Sequence, residues 1–527
     1  MTERLRLRGG RVHDPANGVA GAVRDVCIED GRIVATLPDD APVLDATGLL
    51  VLPGAVDLHT HIAGPTVNLA RRLEPERRRP GATPVVPTTL ETGGLYARLG
   101  YTTAFDAAVS LAGARHAHLE FQDTPILDKG FYLVLGNDEL LLRALESGED
   151  DQARHAVAWA LGASAAYAVK VVAPGADYAW RHGRARIGLD DALPGRRLTP
   201  RRILTAAADI AASLGLPHPM HLHCNDLGLA GNATTTLETL RALDGRRAHL
   251  AHLQFHSYGG EPGGRPTSRA PEIAEALGRS PHLSADVGQV VFGAATAMTA
   301  DSRVGEMLHD LSGRKWVDAD VELMPGCGIV PWEYRERSLV HAVQWIAGLE
   351  LLLLSPDPWR LVLSTDHPNG GTFLRYPSLI RLLMDRGFRD SQIARLPKAA
   401  LEGTALAQGL PREYSLDEIA IVTRAAPARL LGLTGKGHLG PGADADVALY
   451  SPDPDLAAMF ALPRYVLKAG RVVSHDGRLS GTATGRTWSV APAYDRGVER
   501  DLRRMFEDES SLDFDALRID PSEFAVP

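Results

Sequence analysis

The feature that most constrains this chain is an apolar run ending in two histidines, Val51-Leu-Pro-Gly-Ala-Val-Asp-Leu-His59-Thr-His61. Side chains alternate between the two faces of a strand, so residues two positions apart point the same way. His59 and His61 are therefore predicted to project together from the carboxyl end of a buried strand, where two imidazoles can bind one divalent metal. A single His-x-His pair is weak evidence for a metal site. It becomes informative when further metal ligands follow at the spacing of a barrel.

Composition narrows the class of protein. A chain of 527 residues can bury large cores and is expected to hold more than one domain. Its net charge of -9 argues against nucleic acid as a partner. The sequence contains no uninterrupted apolar run of about 18 residues, so no membrane span is predicted. The first residues lack the apolar centre of a signal peptide, and the three cysteines form no disulfide framework. We therefore expect a cytoplasmic protein.

Both ends of the chain carry short strand-and-turn patterns, such as the Asp30-Gly31 turn between two extended segments. We predict one small β-sandwich domain built from residues 1–50 and 431–492. Residues 51–430 alternate apolar strands with Ala-, Leu- and Arg-rich helices, which predicts parallel βα units. The expected fold class is α/β, a distorted (β/α)8 barrel with loop insertions. Residues 493–527 form a charged tail that is expected to pack on the surface or on a partner.

Lysine is rare in this chain, with six lysines against fifty arginines, so arginine fills the ordinary cationic positions. Lys170 stands in an apolar segment that is predicted to be a strand, Ala168 to Val172. Burial lowers the pKa of an amine, and a neutral amine can react with CO2 to give a carbamate, an anion that bridges two metal ions. The alternative is that Lys170 pairs with a carboxylate that the sequence does not identify.

Three more predicted strand ends supply metal ligands, and chemistry in such barrels lies at the carboxyl ends of strands. His221 and His223 share one face, and His223 is nearer the end, so it is preferred as ligand and His221 as a supporting or substrate group. His249 and His252 have opposite parity, so only one is expected to face inward, and His252 is nearer the end. Asp366 follows a short apolar run and suits a ligand that also carries protons. Whether His221 replaces His223 stays open.

These residues form an ordered set along the barrel. Imidazole and carboxylate ligands suit two divalent ions, with zinc favoured over iron, manganese or nickel. Asp366 and carbamylated Lys170 are the predicted catalytic groups. The predicted metal ligands are His59, His61, Lys170, His223, His252 and Asp366.

A second His-x-His pair, His116 and His118, follows a small-residue loop and begins a predicted helix, where residues two apart diverge. It is therefore not expected to bind metal. The sequence shows neither a G-x-S-x-G nucleophile elbow nor a phosphate-binding G-x-x-x-x-G-K. It also has no cysteine cluster for an iron–sulfur centre.

With these residues in place, the chain resembles the amidohydrolase superfamily over about residues 4 to 480. The segment leading into His59 and the late Gly-Ala-Asp-Ala-Asp-Val-Ala-Leu-Tyr450 are both typical of it. A narrower resemblance is to the A subunits of formylmethanofuran dehydrogenases and of bacterial formyltransferase/hydrolase complexes. It is carried by His59 to Asn68, His221 to Gly228, His252 to Gly259 and Ser364 to Gly370. Within these motifs Asn68, Asn225 and His256 are predicted to contact substrate.

The resemblance implies hydrolysis of an N-formyl group from a methanofuran-type amine to formate, or the reverse condensation. It also implies partner subunits of a formyltransferase/hydrolase complex, two divalent metals and a carbamylated Lys170. One alternative is a cyclic amidase, whose arginine after His-x-His is here replaced by Ile62-Ala-Gly-Pro65. The others are a metal-storage protein and a non-catalytic scaffold within the complex, neither of which needs the full ligand set.

Overall fold

The computed structural model describes residues 3–74, 84–148, 150–319, 321–481 and 483–524. The strands, numbered in chain order, are β1 Arg4–Asp14, β2 Val19–Glu29, β3 Arg32–Val34, β4 Val43–Asp45, β5 Leu50–Pro53, β6 Ala55–Thr60, β7 Tyr101–Val109, β8 Asp128–Leu135, β9 Ala168–Val172, β10 Met220–His223, β11 Ala248–Leu250, β12 Tyr258–Gly259, β13 Thr267–Ser268, β14 Leu283–Gly288, β15 Gly293–Thr299, β16 Val317–Asp318, β17 Gly328–Tyr334, β18 Leu361–Ser364, β19 Val447–Tyr450, β20 Tyr465–Lys468, β21 Arg471–His475 and β22 Arg478–Leu479.

The α-helices are α1 Pro65–Leu73, α2 Thr89–Arg98, α3 Ala114–Gln122, α4 Glu139–Glu146, α5 Asp150–Ser164, α6 Ala176–Arg181, α7 Pro200–Ser213, α8 Asn232–Ala242, α9 Ala270–Gly278, α10 Ser302–Ser312, α11 Leu339–Leu354, α12 Tyr376–Met384, α13 Arg386–Ile393, α14 Lys398–Leu401, α15 Leu416–Ala420, α16 Ala426–Leu430, α17 Leu456–Ala461 and α18 Gly497–Glu509. Within the described ranges, no helix combines the length and apolarity needed to cross a membrane.

Eight parallel strands form the barrel, in the order β6-β7-β8-β9-β10-β11-β14-β18. Beyond the strand ends, two backbone hydrogen bonds join the first and last segments: the His61 N–H donates to His367 O at 2.7 Å, and the Asp366 N–H donates to His59 O at 2.9 Å. These bonds also fix the segment that carries His59 and His61 against the segment that carries Asp366. The predicted α/β barrel is confirmed.

The two ends of the chain share one nine-stranded sheet, in which β19 to β22 continue the N-terminal strands. The strand β5 pairs with β1 and β19, so the N-terminal part of this sheet extends to Pro53 and the barrel begins at β6. A buried ion-pair cluster joins barrel and sheet, since Lys436 and Lys468 both contact Asp128 at the start of β8 and Asp446 just before β19. The β domain built from both chain ends is thereby confirmed.

The largest departure from a plain barrel lies between β14 and β18. There β15, β16 and β17 form a three-stranded antiparallel sheet, and α10 packs beside it. Residues of this insertion line the cavity at the mouth of the barrel. The insertion therefore shapes the entrance to whatever site the strand ends form.

The C-terminal segment packs on the barrel. Phe506 of α18 is buried, and Phe514 stacks on Trp159 of α5 with ring centroids 4.9 Å apart. The Ile519 N–H donates to Ala163 O at 2.8 Å. The predicted tail is thus a docked helix and extension, and its last three residues, 525–527, lie outside the described residues.

Candidate metal centre

All six predicted metal ligands line a single cavity at the carboxyl ends of the barrel strands. The cavity has a volume of about 370 Å³. Its walls come mainly from the β15–β17 insertion, α10 and the start of α11. The residues that the structure brings together at its floor are His59, His61, Lys170, His223, His252 and Asp366.

The first group at the floor consists of His59, His61 and Asp366. Asp366 Oδ1 lies 3.4 Å from His59 Nε2 and 3.6 Å from His61 Nε2. One ligand atom from each residue falls within 4.8 Å of the other two. Asp366 has a φ of 41°, a left-handed conformation that non-glycine residues rarely adopt, and this backbone turn aims the carboxylate at the histidines.

The second group consists of His223 and His252, and Lys170 lines the same cavity. The rings of His223 and His252 are perpendicular, with centroids 4.7 Å apart. Lys170 lies on β9 and pairs in register with His221 of β10, one layer below His223. The arrangement therefore offers two sets of ligands in one cavity, with a lysine among the residues that line it.

Several ligand atoms at this floor are buried without a hydrogen-bond partner among the described residues: His59 Nε2, His223 Nε2, His252 Nδ1 and Asp366 Oδ2. Buried polar atoms are nearly always hydrogen-bonded in folded proteins. Unpartnered imidazole nitrogens and a carboxylate oxygen that face one another are the donor set that zinc prefers. The residues present therefore fit divalent metal ions.

Lys170 differs from the other buried lysines. Lys129, Lys436 and Lys468 each donate to a carbonyl or carboxylate group. For Lys170, the described part of the chain provides no hydrogen bond and no ion pair within 4.0 Å. Burial lowers the pKa of Lys170 to about 8, against the opposing effect of Asp286, Asp366 and Asp106. The partner carboxylate that would explain a structural lysine is thus not found there.

Two carboxylates, those of Asp106 and Asp366, affect the pKa of His61. Burial alone would lower its pKa, but Asp106 and Asp366 outweigh that effect and raise the pKa of His61 to about 9. Asp106 Oδ1 lies 3.7 Å from His61 Nδ1. The pocket around His61 therefore stabilises a cation.

A network beneath the floor was not anticipated from the sequence, and Asp286 on β14 is its centre. Asp286 Oδ2 lies 3.0 Å from His59 Nδ1 and 3.1 Å from His249 Nε2. Asp286 Oδ1 accepts the His252 backbone N–H at 3.0 Å and the Ser364 hydroxyl at 2.5 Å. The contacts of Asp286 with the rings of His59 and His249 outweigh burial and hold the pKa of Asp286 far below its usual value. Asp286 therefore acts as an anion that orients two of the predicted ligands.

The neighbouring histidines complete this network. His221 Nε2 lies 3.2 Å from His59 Nδ1, and His221 Nδ1 lies 3.0 Å from His218 Nε2. His218 Nδ1 in turn faces Leu430 O at 2.8 Å. One set of neutral tautomers satisfies every contact, with the proton on Nδ1 of His59, His221 and His218, and we assign them so. His59 Nε2 is then left free for a metal.

The structure shows where both members of the two histidine pairs lie, His221 with His223 and His249 with His252. His223 lines the cavity, whereas His221 lies below it in the network around His59. The expectation that only one of His249 and His252 faces inward is wrong. The strand β11 ends at Leu250 and His252 has a φ of 34°, so the chain turns and brings both rings to the interior.

The predicted substrate residues do not line the cavity. Asn68 lies 3.3 Å from His116 of the second His-x-His pair, and Asn225 donates to Pro174 O at 3.2 Å. His256 is fully buried beside His223 and His252. His116 and His118 fall on α3 and do not line the cavity. His116 is half-buried beside Glu120, and the buried His118 contacts Ser164 O at 3.0 Å.

The upper walls of the cavity are apolar and aromatic. The Tyr334 hydroxyl donates to Asn369 O at 2.9 Å, and Asn369 Nδ2 donates to Asp366 Oδ1 at 2.9 Å, so wall and ligand are linked. Such a cavity suits a ligand with a flat apolar part and a polar end at the floor. The residues that make the apolar wall include Met298, Val304, Met307, Leu308, Trp332 and Tyr334.

Comparison with known proteins agrees with this geometry. The amidohydrolase family profile matches residues 42–474. The A subunit of the Fhc formyltransferase/hydrolase complex of Methylorubrum extorquens is 41% identical over an alignment of 543 positions, gaps included. The alignment covers 98% of this chain and 97% of that protein. Protein FwdA of Methanocaldococcus jannaschii is 41% identical over 510 residues, covering 91% and 90%.

The same relationship holds for solved structures. The crystal structure of the formyltransferase/hydrolase complex FhcABCD from Methylorubrum extorquens, in complex with methylofuran, contains a chain that matches with a TM-score of 0.93 and 40% identity. The match covers 99% of this chain and 97% of that one. The profile, the two relatives and the barrel lead to one conclusion: this chain belongs to the amidohydrolase family.

Proposed function

We propose that the chain is the hydrolase subunit of a formyltransferase/hydrolase complex and releases formate from the N-formyl amide of a methanofuran-type amine. The observation that carries the proposal is the convergence of the six predicted ligands on one cavity floor, where several of their ligand atoms are buried without a partner in the described ranges. Relatives that match nearly the whole chain support it, because one belongs to such a complex and the complex has been crystallised with methylofuran.

The proposal includes two divalent ions, zinc favoured, and a carbamylated Lys170. His59, His61 and Asp366 would hold one ion, His223 and His252 the other, and the Lys170 carbamate would bridge them. When bound, such ions activate water at neutral pH and polarise a carbonyl oxygen. The absence of a hydrogen-bonded or ion-paired carboxylate on Lys170, within the described residues, supports the carbamate over a structural ion pair.

Asp366 is the proposed proton carrier. Asn369 holds Asp366 Oδ1 at 2.9 Å, while Oδ2 is buried and has no hydrogen-bond partner in the described ranges. One oxygen is thus fixed, and the other is free to take a proton and pass it to the leaving amine. The backbone bond from the Asp366 N–H to His59 O keeps this carboxylate over the first ion site.

The cavity fits a linear formyl amide with an aromatic group. The formyl carbon must reach the polar floor, whereas the amine's aromatic ring would lie against the apolar wall that includes Trp332 and Tyr334. Among the described residues that line the cavity there is no arginine. A cyclic amidase that holds a substrate carboxylate with arginine after His-x-His is therefore less favoured.

The test is direct. The chain, purified with its partner subunits, should release formate from a formylated furfurylamine and should contain about two metal ions per chain. Removal of the metal with a chelator should abolish the activity, and zinc should restore it. Hydrolysis of dihydroorotate or a hydantoin without formate release would favour the cyclic amidase. A complex that forms without metal and without activity would make the chain a scaffold.

A further inference from the structure

Asn369 connects the β15–β17 insertion with Asp366. Its side-chain oxygen Oδ1 accepts the Met298 N–H of β15 at 2.6 Å, and its backbone oxygen accepts the Tyr334 hydroxyl of β17 at 2.9 Å. Its side-chain Nδ2 donates to Asp366 Oδ1 at 2.9 Å. One side-chain amide therefore spans the distance from the insertion to the carboxylate that is the proposed proton carrier.

The carboxylate of Asp366 is held mainly by this amide. Among the described residues, Asn369 is its only hydrogen-bond partner, because Oδ2 has none and Oδ1 has the bond from Asn369. The nearest ring nitrogens, His59 Nε2 and His61 Nε2, lie 3.4 Å and 3.6 Å from Oδ1. The backbone below is tightly packed, since a Cβ added to Gly288 would lie 2.2 Å from Asp366 Cβ. The barrel thus fixes the Asp366 backbone, whereas the direction of the carboxylate depends on Asn369.

The other end of this connection lies in the wall that the proposed aromatic amine would contact. Met298 of β15 lines the cavity, as do Trp332 and Tyr334 of β17. The two strands pair in antiparallel register along their whole length, so they form one unit. A ring that lies on this wall therefore contacts the same unit to which Asn369 is hydrogen-bonded.

We propose that Asn369 is a positioning residue that couples the cavity wall to Asp366, so that a substrate ring on the wall raises kcat and does not only tighten binding. The inference rests on the proposed function, in which Asp366 carries the proton. Binding energy from an unreactive part of a substrate can be used to orient the reacting groups. A misplacement of about 1 Å can lower a rate by about 10²-fold. A shift of β15 by that distance would stretch one of the two bonds of the Asn369 amide.

The kinetic test compares N-formylfurfurylamine with N-formylmethylamine, which lacks the ring. The chain is assayed with its partner subunits, and the ratio of the two kcat values is compared between variants, so that intrinsic reactivity cancels. Asn369→Ala should lower this ratio by about 10-fold or more and leave KM nearly unchanged, because the ring still contacts the wall. Tyr334→Phe keeps the wall and loses one neutral hydrogen bond, so it should lower the ratio by about 2- to 10-fold. An unchanged ratio in Asn369→Ala would overturn the proposal.

Asn137→Ala is the matched control. Asn137 is also a bridging amide at this end of the barrel, because its Nδ2 donates to Val172 O at 2.7 Å and its Oδ1 accepts the Tyr178 N–H at 3.3 Å. It does not line the cavity. The control should lose stability and keep the wild-type ratio of kcat values. If it lowers the ratio as much as Asn369→Ala does, the effect is a general loosening of the barrel and the coupling is refuted.

Crystal structures provide a readout that does not need turnover. Wild-type protein and Asn369→Ala are each solved in the complex, with and without furfurylamine. In wild type we expect one Asp366 orientation, hydrogen-bonded to Asn369. In Asn369→Ala the carboxylate should turn or adopt several orientations, while β15 and β17 keep their positions. One shared orientation in both proteins would overturn the proposal. If wild type releases no formate from either formamide, the proposed function fails, and the structures still decide whether Asn369 orients Asp366.

Discussion

Asp286→Asn tests whether the network beneath the floor tunes the metal centre. The wild-type carboxylate accepts four donors, the rings of His59 and His249 on one oxygen and the His252 N–H and Ser364 hydroxyl on the other. An amide has only one acceptor oxygen, so its NH2 must face one of these pairs.

One of the two orientations of the introduced amide costs less free energy than the other. If the NH2 faces His252 and Ser364, the hydroxyl can rotate to accept, and only the His252 N–H loses its partner. Leaving one buried N–H unsatisfied costs about 1–3 kcal/mol of stability. His59 keeps an acceptor but loses the anion that fixes its tautomer. Changes of this kind behind a metal-ligating histidine typically cost about 10–100-fold in metal affinity, or roughly 1.4–2.8 kcal/mol.

The assay is competition between the protein and a chelator for zinc, together with thermal unfolding. Asp446→Asn is the matched control, because Asp446 is also buried and multiply hydrogen-bonded but lies in the cluster between barrel and terminal sheet. It should lose stability and keep zinc affinity. If Asp286→Asn binds both ions as tightly as wild type, the orienting role is refuted. If Asp446→Asn weakens zinc to the same extent, the effect is only general destabilisation.

Three further predictions test the site and the buried cluster. Lys170→Arg places a permanent cation at the ion sites and cannot form a carbamate, so the variant should lose metal. Retention of both ions with full activity would contradict the proposal that Lys170 is carbamylated. Asp366→Asn should keep most of its metal while kcat for formate release falls by about 10²–10⁴-fold. The control His116→Ala, at a half-buried position outside the cavity, should change neither. The reverse pattern would show that the wrong residues have been chosen. Asp446→Asn should destabilise the fold by about 3–5 kcal/mol. In the wild-type protein, Lys468 and Lys436 outweigh burial and lower the pKa of Asp446, so the ionised carboxylate stabilises the fold above the ordinary pKa of 3.8, and this stabilisation is lost as the pH falls below that value. Denaturant titration from pH 7 to pH 3 would detect the loss.

Strand parity and strand ends were sufficient to predict most of the floor. His59, His61 and His223 are local consequences of strands that end where their apolar runs end, and the structure places all three at the cavity floor. Parity failed where the strand stopped being regular. β11 is only three residues long and His252 turns out of it, so His249 and His252 both face the interior.

The supporting residues could not be predicted because their partners are remote in sequence. Asp286 contacts His59, 227 positions away, and Ser364, 78 positions away. The only local signal was an aspartate inside a strand of small and apolar residues, Leu283-Ser-Ala-Asp-Val-Gly288. The predictions for Asn68 and Asn225 came from motif resemblance, and both residues make contacts that position other parts of the protein.

Lys170 shows how sequence and structure must be combined. Scarcity of lysine singled it out, yet four of the six lysines are buried, namely Lys129, Lys170, Lys436 and Lys468, so scarcity alone marks buried cations in general. The three others each have acceptors that explain their burial. Among these four buried lysines, only Lys170 has carboxylates nearby without a direct contact in the described structure, and it lines the same cavity as the unpartnered ligand atoms. The proposed carbamate of Lys170 would account for both facts at once, because it would remove the buried positive charge and would add the ligand that the two proposed ion sites share.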